Sequence, residues 1–199
     1  MTKSNVTRRA APSIIRLFKN QADWETWLGK NAGSSKGLWL RVAKKSSKLR
    51  SLTYSEALES ALCFGWIDGQ KKGYDDESWL QRFTPRGPRS IWSKINRANA
   101  LKLIESGRMK PSGLAAVDRA RESGRWDEAY DSHKTALPPR DFQIALNKTP
   151  RARAFFATLN SQNRYAILFR IQTARKPETR QKRIGQFVQM LANHKTLYP

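Results

Sequence analysis

The chain has 199 residues and a mass of 22.8 kDa, enough for one sizeable core or two small ones. Its 38 Lys and Arg against 16 Asp and Glu leave a formal net charge of +22, which attracts polyanions and points to nucleic acid, anionic lipid headgroups or acidic proteins as partners. A hydrophobic content of 39% excludes global disorder, and the single cysteine, Cys63, excludes an internal disulfide.

No apolar run nears the roughly 20 residues of a membrane span or the 7–15 of a secretory-signal core, so a cytoplasmic protein without a transmembrane segment is expected. The charge is not confined to a tail. Residues 1–100 and 101–199 each carry 19 basic and 8 acidic residues.

Residues 1–13 are polar and basic and read as a flexible basic arm. Ile14 to Phe18 form a short strand or core-entering segment. Asn20 can cap a helix through about Asn31, with Trp24, Trp27 and Leu28 on one face. Leu38 to Ala43 read as a strand. Thr53 and Glu56 match a capping box ahead of a helix from Tyr54 to about Phe64, and Gly65 ends it. Trp66–Gly69 and Ser78–Phe83 are strand candidates. Three strands with helices packed on them give a small antiparallel sheet.

Pro85 and Pro88 bracket a stiff loop. Ser90 then reads as the N-cap of a helix to about Ser106, with Ile91, Ile95, Ala98 and Leu101 inward. A second helix follows from Ser112 to Ser123, with Leu114 and Val117 inward. From Pro138 the pattern is helical throughout, over about 139–147, 150–160, 162–174 and 178–193, with Pro150 and Pro177 at helix starts and Ser161 as a cap. The expected fold is therefore α+β. An N-terminal small antiparallel sheet packed with helices (residues 14–137) is followed by a C-terminal helical bundle (138–199).

Candidate binding chemistry concentrates in residues 82–97. No acidic residue occurs from Ser78 to Ile104, whereas Arg82, Arg86, Arg89, Lys94, Arg97 and Lys102 do. The prolines limit the entropy lost on gripping a ligand. A helix start at Ser90 would offer free N–H groups and a positive dipole end, and guanidinium groups hold phosphate or carboxylate bidentately. Trp92 could stack on a base or pack inward. The predicted anion site is Arg82, Arg86, Arg89, Ser90, Trp92, Lys94 and Arg97. The competing expectation is that these arginines pair with Asp75, Asp76 and Glu77 in a structural cluster. A secondary basic surface is expected at Arg175, Lys176, Arg180 and Arg183.

The catalytic signal is weaker. Asp68, before Gly69, reads as turn chemistry, with a general base as the alternative. Asp75–Asp76–Glu77 lacks the alternate spacing of a calcium loop, so no metal is expected. Cys63 sits among apolar neighbours as a core residue. His133 and His194 have no partners suggesting a triad. No cofactor motif is present, and the absence of a nucleophile–base set weighs against an enzyme.

Four stretches carry a family resemblance: TYSEALESALCFGWIDG (53–69), SWLQRFTPRGPRSIWSKIN (78–96), LIESGRMKPSGLAAV (103–117) and ARKPETRQKRI (174–184). They resemble the YdeI/OmpD-associated, or bacteriocin-protection, family over about residues 14–194. The resemblance implies an α+β part followed by a helical C-terminal domain. Its names imply a link to bacteriocin or antimicrobial-peptide protection and to an outer-membrane porin, and they imply no reaction.

The expected function is a non-enzymatic binder of an anionic partner, DNA or RNA first. Two alternatives stand beside it. One is an enzyme acting on a phosphorylated or carboxylated small molecule, with Arg82, Arg86 and Arg89 orienting substrate and Asp68 as base. The other is an envelope-stress accessory protein binding proteins or lipid headgroups.

Overall fold

The computed structural model describes residues 14–199; the expected basic arm at 1–13 lies outside the described residues. Along the chain run β1 (Ile15–Leu17), α1 (Gln21–Asn31), β2 (Leu38–Ala43), α2 (Tyr54–Cys63), β3 (Trp66–Gly73) and β4 (Ser78–Pro85). They are followed by α3 (Lys94–Glu105), α4 (Pro111–Glu122), α5 (Arg140–Asn147), α6 (Pro150–Thr158), α7 (Ser161–Gln172) and α8 (Pro177–Ala192). The fold is α+β. Two compact units form, one from residues up to Ser90 together with 98–123, the other from 91–97 together with 124–199.

In the first unit the sheet has the order β1-β2-β4-β3. β2 and β4 pair antiparallel, as do β4 and β3, and β1 joins β2 in parallel with Ile15 opposite Trp39. The three strands expected to form an antiparallel sheet do so, and β1 adds a parallel edge to them. Residues 18–37, containing α1, carry the chain from β1 back to the start of β2, so the two neighbours run the same way.

Alternation in β2 buries Leu38, Leu40 and Val42 and leaves Trp39 and Arg41 half-buried on the opposite face. Leu38, Leu40, Val42 and Phe83 meet Trp24 and Leu28 of α1 and Ala57 and Ala61 of α2 in one core. Trp24 stacks with Trp27 at 5.4 Å and donates its indole N–H to Ala57 O at 3.1 Å. A buried indole therefore keeps a hydrogen-bond partner while its ring fills the core.

The capping box at α2 is present as read. Thr53 Oγ1 accepts from Glu56 N at 3.2 Å, and Glu56 Oε2 accepts from Thr53 N at 2.7 Å. These bonds to Thr53 hold the Glu56 pKa below the ordinary carboxyl value. Gly65 has φ +74°, a left-handed conformation in which glycine carries no Cβ penalty.

α3 differs from the sequence expectation. It begins at Lys94, and Ser93 rather than Ser90 caps it, its Oγ accepting from Asn96 N at 3.1 Å. Ser90 closes a turn by donating its N–H to Gly87 O at 3.0 Å. The inward face is also rotated. Trp92, Asn96, Ala100 and Leu103 are buried, whereas Ile91, Ile95 and Leu101 are exposed. In α4 Val117 is buried but Leu114 is exposed. Aliphatic spacing alone thus selects the wrong stripe in α3 and half of the right one in α4, because tertiary packing puts alanine, glycine and asparagine inside.

The second unit packs Phe142, Phe156, Ile167, Ile171, Phe187 and Leu191 from α5 to α8. Asn160, not Ser161, caps α7 through a 2.9 Å bond from Asn163 N. Arg180 of α8 grips Asp141 of α5 with two bonds, at 2.6 and 2.9 Å. Hydrogen bonding and charge from Arg180 hold the Asp141 carboxyl below its usual range.

The folded state thus binds that proton less tightly than the unfolded chain does. The resulting stability is full above the ordinary carboxyl value and is lost as pH falls through the depressed folded value. Both side chains are partly exposed, so Asp141→Asn is expected to lower stability at neutral pH by no more than about 1 kcal/mol. Urea midpoints of the variant and wild type should converge as pH drops below about 4; a difference that persists in acid would refute the assignment to this pair.

Candidate nucleic-acid interface

The predicted anion site is divided between the two units. Arg82, Arg86, Arg89 and Ser90 belong to the first, and Trp92, Lys94 and Arg97 to the second. In the second unit these residues serve local structure. Trp92 is 2% exposed and meets Trp126 edge to face at 4.9 Å. Lys94 pairs with Asp131 at 2.8 Å, and Arg97 donates to Trp126 O at 3.0 Å.

In the first unit, Arg86 is 6% exposed and its backbone N–H donates to Gly65 O at 2.9 Å, joining the end of β4 to the glycine that terminates α2. Arg89 is exposed. The acidic triplet answers a different cation. Asp75 pairs with Arg41 at 2.7 Å and accepts from Ser78 Oγ at 2.6 Å. The Ser78 bond first, with Arg41 adding to it, holds the Asp75 pKa down.

Asp68 lies within β3, not in a turn. Its register partner is Phe83, and its carboxylate accepts from Tyr54 OH at 2.8 Å, on the helix-covered face of the sheet. Arg82 adjoins Phe83 on β4 and pairs with Trp39, so it projects from the opposite face. Asp68 and Arg82, base and substrate-orienting group in the enzymatic alternative, thus lie on opposite faces of the sheet. Cys63 is buried, and burial pushes its thiol pKa up, which disfavours the thiolate. Among the described residues no group of three or more His, Cys, Asp and Glu is placed to hold a metal ion, and no helix is long and apolar enough to cross a membrane.

The secondary basic surface is largely engaged. Arg175 pairs with Glu128 at 2.6 Å, Arg180 with Asp141, and Arg183 donates to Arg170 O. Lys176 is exposed at the start of α8.

Arg82 instead belongs to a constellation that charge counting did not single out. Trp39 faces Arg82 across β2 and β4, with the guanidinium carbon 6.0 Å from the ring centroid. From β3, Lys72 brings its Nζ to 4.4 Å from the same ring. Beside them Arg41 lies 5.3 Å from the ring of Tyr74, which is 50% exposed. The shared face follows from strand alternation. Trp39 and Arg41 on β2, Arg82 on β4 and Lys72 on β3 all project away from the Leu38–Leu40–Phe83 core. A bulge between Asp68 and Lys71 resets the β3 register and brings Lys72 opposite Leu80.

Arg82 Nη2 donates to Lys36 O at 3.3 Å, while Nη1 is buried with no hydrogen-bond partner among the described residues. Burial pushes the Arg82 pKa down. A buried donor without an acceptor is costly, and turning the guanidinium outward onto a ligand oxygen would relieve it. With the Lys72 stem swung aside, the half-buried indole can stack a planar group while the two cations hold the adjoining negative charge. Alternation in LWLRVA was the signal for Trp39; Lys72 carried none, because the bulge sets its direction.

Comparison with known families gives two matches. Residues 16–116 match the family described as "Domain of unknown function (DUF8412)". Residues 135–194 match the one described as "Bacteriocin-protection, YdeI or OmpD-Associated". No curated protein and no solved structure matches the chain.

Proposed function

The chain belongs to the family described as "Domain of unknown function (DUF8412)" and carries a YdeI/OmpD-associated, bacteriocin-protection domain over residues 135–194, and from that premise we propose that it is a binding protein for single-stranded nucleic acid. The observation that carries this reading is the Trp39 indole with Lys72 at 4.4 Å and Arg82 at 6.0 Å on the half-exposed side of the sheet. A base offers the π-face that Trp39 can stack, and its phosphate offers an acceptor to the Arg82 guanidinium. The net charge of +22 supplies long-range attraction. A cytoplasmic location belongs to the same proposal. The double helix fits less well, since its bases are already stacked on one another.

Fluorescence anisotropy of a labelled oligo(dT) of about 20 nucleotides tests the reading, with affinity expected to fall roughly tenfold or more between about 50 and 200 mM salt. An equal response from a duplex of the same length, or no response at low salt, overturns it. Retention on anionic vesicles in place of oligonucleotide binding would point to lipid headgroups instead.

A further inference from the structure

A groove of about 760 Å³ lies along α7 in the second unit, and none of the residues predicted to bind an anion lines it. It follows the helix face from Ser161 to Arg170, about 13 Å at 1.5 Å per residue. Tyr165, Ala166 and Phe169 of α7 line it, His133 and Tyr198 add walls from outside that helix, and Arg170 is the one Lys or Arg among its described lining residues.

The wall is built by hydrogen bonds. Asn163, 2% exposed, accepts from Leu197 N and Tyr198 N, both at 3.0 Å, and donates to Tyr198 O at 3.2 Å. A buried amide thus straps the backbone of Leu197 and Tyr198 against α7. Tyr165 is fixed as well. Its OH donates to Asp131 O at 3.1 Å, and burial pushes its pKa up to about 12, so it stays a neutral donor.

Arg170 is held in place without being neutralised. Nη1 donates to Ala166 O at 3.0 Å and Nη2 to Tyr198 OH at 3.4 Å, and no described ion pair engages it. Two of five guanidinium donors are used, and the rest can meet a planar acceptor. The volume falls in the small-molecule range of roughly 300–1,000 Å³, and an apolar floor with one oriented charge is the usual composition of such sites.

We propose that this groove binds a planar aromatic carboxylate, with its ring against Tyr165, Phe169 and Tyr198 and its carboxylate on Arg170. The inference is independent of the sheet-face reading, and neither depends on the other.

Isothermal titration with 2-naphthoate, and with neutral 2-naphthalenemethanol as its uncharged counterpart, tests the proposal. One equivalent of 2-naphthoate is expected to bind. Arg170→Gln should weaken it by about tenfold, as removal of a charge-assisted hydrogen bond does, while leaving the neutral compound unchanged. Ala166→Leu should exclude both compounds. Tyr198→Ala, at a partly exposed position near the chain end, provides a second route if Ala166→Leu disturbs folding, and should weaken both. Circular dichroism checks the fold of each variant. Absence of 2-naphthoate binding to the wild type overturns the proposal, as does binding insensitive to both Arg170→Gln and Tyr198→Ala.

Discussion

Trp39→Ala is expected to weaken binding of single-stranded oligonucleotide by roughly tenfold to a hundredfold, the loss of about 1–3 kcal/mol of base–aromatic stacking. The fold should survive, because Trp39 projects away from the core formed by Leu38, Leu40, Val42 and Phe83. Trp39→Phe keeps a ring and should retain much of the affinity. Lys72→Gln removes charge without removing the stacking surface. It should flatten the salt dependence by about 0.7 in the log–log slope for each phosphate no longer neutralised, while Trp39→Ala shifts affinity at every salt concentration. That contrast separates a stacking site from attraction to a protein of net charge +22. If Trp39→Ala binds oligonucleotide as wild type does, the sheet face is not the interface.

The sequence revealed local devices and concealed non-local ones. The Thr53–Glu56 capping box and the prolines that open α6 and α8 are chemistry within four residues of chain, and they stand where the pattern put them. β1 pairs with β2 across more than twenty residues, and a strand of three residues carries too little alternation to announce its partner. The YdeI/OmpD-associated match holds for residues 135–194, which contain one of the four motifs read as its resemblance (174–184), while the other three fall in or at the end of the stretch that matches DUF8412.

Among the basic residues, composition indicated charge but not occupancy. Arg180 and Arg175 meet carboxylates 39 and 47 positions away in sequence, a pairing that no local window contains. Arg82 was visible as a cation. Its aromatic neighbour lies on β2, where alternation turns Trp39 away from Leu38, Leu40 and Val42, and Lys72 is turned toward it by a bulge that no local pattern announces. The acidic triplet posed the right question about neutralisation. Asp75 answers Arg41, which stands two residues from Trp39 on the same face.

The largest stability effect from a small change is expected at Gly113. Alanine normally favours a helix over glycine by about 1 kcal/mol, so Gly113→Ala within α4 would stabilise if space allowed. Space does not allow it. A Cβ at 113 would stand 2.2 Å from Cys63 O and 2.9 Å from Met109 Cε. The first of these is backbone, which no rotamer change can move.

The close approach is held from both sides. Lys110 N donates to Cys63 O at 3.0 Å, and Ser112 Oγ donates to Phe64 O at 3.0 Å, so the start of α4 satisfies carbonyls that the end of α2 leaves open. Overpacking there costs about 1–3 kcal/mol or more and outweighs the propensity gain, giving a net loss on the order of 2 kcal/mol. Gly185 in α8 is the control, since a Cβ there meets nothing within 4 Å. Gly185→Ala should therefore raise stability by roughly 0.5–1 kcal/mol. Urea midpoints read both signs in one experiment. A Gly113→Ala protein as stable as wild type would mean that α4 does not lie against the end of α2 as described.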